Sequence, residues 1–461
     1  MALNEQTDVK IDDHPHIAEG SEKSQIQKMF FGSTIFLTGG TGFLGKLLIE
    51  KLLRSCPNIK KLYLLTRAKK NKGAKERLQE QFEDLLYDKL RKENPDFMHK
   101  IGIIEGDMCQ INLGMSDADR GKLIQEVEFI FHGAATVRFD EALKTAVEIN
   151  VRGTREMLQL ARACTKLRAL VYISTAFSNC HLSEIDEKFY DCNLSGEKLI
   201  DLVENIDENT LKKVTLGLIG DYPNTYAYTK SAAEDIIQKQ YQGLPVAIFR
   251  PSGVISTVSE PVPGWIDNIY GPTGVVLGAG LGLIHSLQCN PQAIAELVPG
   301  DYVINGIIAA AWKTAKDYPG NYEHSRVDNS PIVYNYVSSE QNPIIWDKFM
   351  HCIEVYEYQM MCMQAMWKYV FWMTPSKFLY NFCCLFLHWI PAYIVDAIAV
   401  TIGKKPMLKK AYRKIGKYSE VISFFATRQW KFHNKNTLSL LKELDDADRH
   451  IFNFDIGSLK W

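Results

Sequence analysis

The sequence has almost no net charge: 53 Lys and Arg stand against 54 Asp and Glu over 461 residues, a formal charge of -1. Without a basic excess there is no bulk attraction to nucleic acid, and no nucleic-acid partner is expected. The ten cysteines include no C-x-x-C and no paired Cys/His spacing. No metal site and no disulfide framework is expected, and a reducing compartment is the default. A G-x-S-x-G elbow is missing, so nothing points to acyl-enzyme chemistry. The first twenty residues lack a basic stretch followed by an apolar run, so a cleaved signal peptide is not expected. Residues 1–28 read as a mobile tail. Repeats and low-complexity runs are also missing. The length and the 46% hydrophobic content leave room for two or three domains with a large core.

What is present centres on TIFLTGGTGFLGK, residues 34–46. A short apolar run ends in a glycine turn, and an apolar helix pattern (Leu44, Leu47, Leu48, Leu52) follows at once. Strand, turn and helix form the context that a dinucleotide-binding fingerprint requires. Gly39 permits a tight turn, Gly42 lets the backbone approach a pyrophosphate, and Gly45 lets helix and strand pack closely. The helix N-terminus offers N–H groups to phosphate. Thr38, Gly39, Thr41, Gly42, Phe43, Leu44 and Gly45 are the candidate cofactor-binding residues here.

Residues 61–66 read as a second strand, ending in Arg67 with Lys69 and Lys70 behind it. An enzyme using NAD usually places an acidic residue there, whereas cations suit the 2′-phosphate of NADP. Residues 74–94 predict a charged helix and 101–104 a third strand, and Asp107 after it either accepts a hydrogen bond from adenine or simply starts a turn. Strand four, from Phe129, ends in small residues, and Ala134 and Ala135 leave room for a cofactor. His132 reads as structural. Residues 140–165 predict a long helix carrying Asn150. Strand five, 169–173, ends in Ser174 and Thr175, and a polar insertion spans 178–223. A helix then opens with Tyr226 and Lys230, and strand six covers 244–249. The alternation predicts an α/β fold, a Rossmann-type doubly wound parallel sheet, with substrate-side loops at 259–282.

Tyr226 and Lys230 stand four apart and share a helix face. A phenol with a pKa near ~10 is a poor acid at neutral pH, and a nearby ammonium lowers it. Ser174 or Thr175 could hold a carbonyl oxygen while Tyr226 supplies a proton and a nicotinamide supplies hydride. Y-x-x-x-K alone is weak. After a T-G-x-x-G-x-x-G turn and a Ser-Thr strand end it is strong.

TGGTGFLGK, HGAATVRF, YISTAF, NTYAYTK and FRPS resemble the extended short-chain dehydrogenase domain of animal fatty acyl-CoA reductases. LHWIPAYIVDAI, the lysine-rich run after it and FFATRQWKF resemble that family's second, helical domain. The resemblance implies a cofactor domain over 29–350 and a mainly helical C-terminal domain over 355–461. It implies reduction of a long-chain acyl-CoA to a fatty alcohol with two NADPH. Tyr226 would donate the proton, Lys230 would anchor the ribose and tune Tyr226, and Thr175 or Ser174 would bind the oxyanion. Family members usually continue past the position of Trp461 into another hydrophobic segment. A truncated chain, a short isoform and a member lacking that anchor all fit the present end.

Residues 378–400 are mostly apolar, long enough to span a bilayer, yet include Asn381, His388, Pro391 and Asp396. A basic run follows: Lys404, Lys405, Lys409, Lys410, Arg413, Lys414 and Lys417. A single span cannot leave both this run and the cofactor domain on the cytosolic side. A segment lying in the membrane surface resolves the conflict, its lysines meeting anionic lipid or CoA phosphates. A buried helix of the C-terminal domain is the competing reading. The expectation is membrane association with a cytosol-facing catalytic domain, at the endoplasmic reticulum or peroxisome. Two other functions fit the motifs: an extended dehydrogenase acting on a sugar nucleotide, sterol or other lipid, and an inactive NADP-binding protein. The aromatic C-terminal section argues against a sugar, and the intact Tyr226/Lys230 pair argues against inactivity.

Overall fold

Strands buried on both faces belong to a parallel sheet covered by helices, and the sheet strands of this chain are almost wholly buried, apart from the edge strand over Ile101–Glu105. The computed structural model describes residues 24–67, 73–318, 330–359, 363 and 365–461. Its main sheet has β1 (Thr34–Thr38), β2 (Lys61–Thr66), β3 (Ile101–Glu105), β4 (Phe129–His132), β5 (Ala169–Ile173), β6 (Val246–Pro251) and β7 (Ile332–Tyr336). The order is β7-β6-β5-β4-β1-β2-β3, with every neighbour parallel. The chain runs outward from β1 to β3, then returns to start β4 on the other side of β1. That reversal opens a crevice beyond the C-terminal ends of β1 and β4, where doubly wound sheets bind dinucleotides. The register sets Thr38 of β1 opposite His132 of β4.

Several elements depart from the sequence expectations. The helix expected over 74–94 breaks after Ala74–Phe82 and resumes at Asp88–Glu93. Asp84 causes the break, because its side chain accepts from Leu86 N–H at 2.9 Å and competes with the helix. The helix expected over 140–165 starts at Leu143 and widens into a π turn over Glu148–Arg152, around Asn150. The insertion at 178–223 holds two helices, Gly196–Asn205 and Glu208–Ile219. Residues 25–28, expected in the tail, belong to the helix Gln25–Phe30. Ile26 and Phe30 are fully buried, and Ile26 N–H donates to Asp448 Oδ1 at 3.1 Å. The tail residues 1–23, and Lys69 and Lys70, lie outside the described residues.

The C-terminal section builds on the core of the sheet. Lys431–Phe432 pairs with Glu184–Ile185 from the insertion. Leu440, Leu444, Phe452, Phe454 and Ile456 join the apolar cluster under the sheet, and Tyr336 at the end of β7 donates to Phe454 O at 2.7 Å. Lys377–Thr401 forms one helix of 25 residues, long and apolar enough to cross a membrane by length and composition. A second helix, Leu408–Ala426, packs along it. Asp396 reaches back to the start of that second helix and accepts from the backbone N–H groups of Met407, Leu408 and Lys409 at 2.9–3.0 Å.

Candidate active site

The glycine turn is tight enough that side chains would not fit. Gly39 has φ +81, and a Cβ there would stand 2.7 Å from the Gly133 carbonyl carbon at the end of β4. At Gly45 a Cβ would fall 2.1 Å from Gly39 O. Strand, turn and helix therefore meet backbone to backbone. Gly42 precedes the helix Phe43–Ser55 and gives it no side-chain cap, leaving first-turn amides for a phosphate. This cradle fits a dinucleotide. Thr38 Oγ1 accepts from Ala134 N–H at 3.2 Å and lies 2.8 Å from His132 Nδ1. His132 Nε2 lies 3.1 Å from Thr154 Oγ1, which donates to Asn150 O at 2.7 Å. Burial, and then the nearby Lys230, push His132 down to about 3, so it is a neutral structural link. Ala134 and Ala135 follow it, half-buried, at the rim of the crevice.

At the far end of the crevice, Arg67 leaves β2 exposed, and its Nη1 lies 3.4 Å from Asp107 Oδ2 past the end of β3. Asp107 also accepts from Cys109 N–H at 3.0 Å. The sequence reading missed Arg77. The helix Ala74–Phe82 brings it to this corner, where it donates to the Arg67 carbonyl. The only signal was one cation in a run of charged helical residues.

The helix Thr225–Gln240 carries Tyr226 and Lys230 beside the end of β5. Asn224 caps it, accepting from Ala227 N–H at 2.9 Å. The Thr175 hydroxyl hydrogen-bonds the Tyr226 phenol, and Thr175 Oγ1 also accepts from Phe177 N–H at 3.2 Å. Ser174, its neighbour, turns the other way and donates to Glu234. Glu234 is held by Arg250 through two bonds of 2.9 and 2.6 Å, with both residues buried. The two hydroxyls that sequence could not separate thus have different surroundings: Thr175 faces Tyr226, and Ser174 joins a buried ion pair.

Lys230 is 2% exposed. Its ammonium donates to Ile173 O at 2.7 Å and to the Tyr172 hydroxyl at 3.3 Å. Burial pushes it down to about 7 against the pull of Glu234. The expected lowering of Tyr226 does not appear. Burial pushes that phenol up to about 12, with the Thr175 bond opposing. Asn150 connects the helices: its Nδ2 donates to Thr229 Oγ1 at 2.9 Å and its Oδ1 accepts from Thr136 N–H at 2.9 Å.

Over Tyr226 lies an aromatic cluster that the sequence reading did not assign to the site. The Phe139 ring stands 5.8 Å from Tyr226 and 5.9 Å from Phe425. Phe177 stands 5.1 Å from Phe425 and 5.4 Å from Trp430. Phe139 and Phe177 leave the ends of β4 and β5, while Phe425 and Trp430 come from the C-terminal section. These rings make the reacting centre apolar on the side away from the cofactor crevice.

Sequence profiles described as "Male sterility protein" match residues 37–307 and 387–461. The chain is 41% identical over 452 residues to "Fatty acyl-CoA reductase wat" of Drosophila melanogaster, covering 98% of this chain and 86% of that protein. It is 37% identical to "Fatty acyl-CoA reductase 1" of Xenopus laevis, covering 95% and 83%. Among solved structures, the terminal reductase domain of the myxalamid pathway superposes with TM-score 0.55 at 21% identity, covering 93% and 90%. A reductase domain of a nonribosomal peptide synthetase from Mycobacterium tuberculosis gives 0.55 at 18%, covering 92% and 91%. At those identities the likeness concerns the fold. With the two profiles and the near-full-length relatives, the chain belongs to the fatty acyl-CoA reductase family.

Proposed function

We propose that this chain reduces a long-chain acyl-CoA to the fatty alcohol and free CoA, consuming two NADPH. The observation that carries the reading is the meeting of Tyr226 and Thr175 under the aromatic cluster of Phe139, Phe177, Phe425 and Trp430. A proton donor and an oxyanion donor there stand beside apolar rings of the kind that suit an acyl chain. The glycine turn would hold the pyrophosphate, Lys230 the nicotinamide ribose, and Asp107 the adenine. Arg67, with Arg77 beside it, would hold a 2′-phosphate, which favours NADPH over NADH.

When bound, the reduced nicotinamide supplies hydride to the carbonyl carbon. Thr175 and Tyr226 donate to the thioester oxygen and stabilise the negative charge that develops on it. Collapse of the tetrahedral adduct expels CoA thiolate and leaves an aldehyde. In a second round, addition of a second hydride turns the aldehyde into an alkoxide, Tyr226 gives its proton to that alkoxide and is reprotonated from solvent, and the alcohol departs.

The enzyme works at a membrane surface in this reading, its catalytic body facing the cytosol, at the endoplasmic reticulum or peroxisome. The helix Lys377–Thr401 supports it by turning Phe378, Phe382, Phe386, Tyr393 and Ile398 to solvent and His388 and Asp396 inward. The test of the reaction is NADPH oxidation with palmitoyl-CoA in detergent, with products extracted. Hexadecanol at two NADPH per CoA released is expected. Aldehyde at one NADPH would limit the reaction to its first half, and no oxidation at any acyl length would refute the proposal.

A further inference from the structure

The basic run falls into parts. Lys409 turns toward the apolar helix, its Nζ 5.0 Å from the centre of the Tyr393 ring. Lys410, Arg413, Lys414 and Lys417 are exposed and lie on one face of the helix Leu408–Ala426, at i, i+3, i+4 and i+7. Among the described residues, no carboxylate lies within ion-pair distance of these four. Like charges four apart weaken a helix, so the stripe has no stabilising role of its own.

The stripe leads to the reacting centre. Its last cation, Lys417, is within electrostatic reach of Asp140, whose carboxyl is held low mainly by its bond to Arg138 and least by Lys417. Asp140 adjoins Phe139, whose ring is against Tyr226. The next residue, Tyr418, donates to Gly271 O in the substrate-side loop. At the same helix's far end, Phe425 stands over the site. Along an α-helix at 1.5 Å per residue, Lys417 lies about 12 Å and Lys410 about 22 Å from Phe425. The pantetheine arm of CoA, about thirteen bonds from sulfur to phosphorus, spans roughly 16 Å. Phe425 is separated from Tyr226 by the Phe139 ring, so an arm of this length from a thioester beside Tyr226 reaches toward the near end of the stripe, at Lys417.

We propose that Lys410, Arg413, Lys414 and Lys417 form the docking site for the 3′-phospho-ADP end of the acyl-CoA. This rests on the acyl-CoA reading above and names the part of the protein that recognises the CoA nucleotide. The same phosphate chemistry occurs in lipid headgroups, and the two sources separate experimentally.

The experiment compares palmitoyl-CoA with S-palmitoyl-pantetheine, which lacks the nucleotide, in the full-length protein and in a Lys410→Gln/Arg413→Gln/Lys414→Gln/Lys417→Gln variant. The parent is expected to prefer the CoA thioester by at least about tenfold in kcat/KM, and the variant to lose most of that preference through KM. A merely structural role for the stripe would lower both substrates alike and keep the ratio, which would overturn the proposal. So would a kept ratio accompanied by loss of binding to phosphatidylserine vesicles, which would assign the stripe to lipid. If the parent oxidises NADPH with neither thioester, the reaction reading fails by itself. Calorimetric titration with adenosine 3′,5′-bisphosphate then decides the stripe: binding by the parent and not the variant supports it, and no binding by the parent overturns it.

Discussion

Lys230→Met should make the protein more stable at pH 7 while abolishing reduction. The side chain is almost fully buried, and burial pushes its ammonium from the ordinary 10.5 down to about 7. At about 1.4 kcal/mol per pH unit, the gap between those values amounts to at most ~5 kcal/mol against the folded state. Methionine removes that term and fills similar space. It also leaves Ile173 O without the ammonium it accepts from at 2.7 Å, a loss of about 1–3 kcal/mol. The net expectation is a gain of at most about 2–4 kcal/mol. The sign fixes a pH signature. Below about pH 7 the lysine is charged in both the folded and unfolded chain, and the penalty is fully present. It declines as pH rises from 7 and is absent above 10.5, where both forms are neutral. Denaturant unfolding of parent and variant at pH 6, 7, 8.5 and 9.5 should therefore show the largest gain at the two lower values and a shrinking gain above. A variant less stable than the parent throughout, with no narrowing of the difference toward pH 9.5, would refute the reasoning.

Three further outcomes test the site. Gly45→Ala places a Cβ 2.1 Å from Gly39 O and should weaken NADPH binding at least about tenfold by forcing the helix off the turn, as read by fluorescence titration. Arg67→Ala should lower the ratio of kcat/KM for NADPH over NADH by about tenfold; an unchanged ratio would remove Arg67 from 2′-phosphate recognition. Thr175→Val and Ser174→Ala should differ in kind. The first should lower kcat by about a hundredfold. The second should cost about 1–2 kcal/mol of stability by taking a bond from buried Glu234, with kcat largely kept.

The cofactor half was legible because its signals are local. A glycine that must adopt φ +81, or that meets a carbonyl at 2.1 Å, is written in three positions of one turn. Tyr226 and Lys230 are tied by a single helical spacing. The rest depended on distance along the chain. Ser174 and Thr175 differ only in which way β5 turns each side chain, and that shows only once Glu234 and Arg250 are placed. The Tyr226 pKa was misjudged because spacing puts Lys230 near, whereas the folded chain directs its ammonium to Ile173 O and buries the phenol. Phe425 and Trp430 could not be assigned to the site from sequence, since nothing local brings residues about 250 positions onward to the end of β5. Nothing local in the sequence shows that the last thirty residues complete the core beneath the sheet.

The apolar stretch shows how contradictory local signals resolve once partners are known. Asp396 and His388 are too costly for a lipid-facing position, and the fold gives each an inward partner. Asp396 takes the three backbone amides that open the helix Leu408–Ala426. His388 Nε2 accepts from His285 N–H at 2.9 Å, and its ring stacks 4.8 Å from Tyr412. The polar groups therefore fasten the helix to the body along one face, and the opposite face is left apolar: Phe378 is 77% exposed and Tyr393 56%. The membrane-surface arrangement proposed above keeps the bonds at His388 and Asp396 and turns the apolar face to lipid. The helix it holds through Asp396 is the one that carries the cation stripe and, near its end, packs Phe425 on Phe139, the ring beside Tyr226. One rigid element of 19 residues thus joins the apolar face, the cations and the reacting centre. An insoluble acyl chain and its charged carrier would then be met by neighbouring surfaces of a single helix pair.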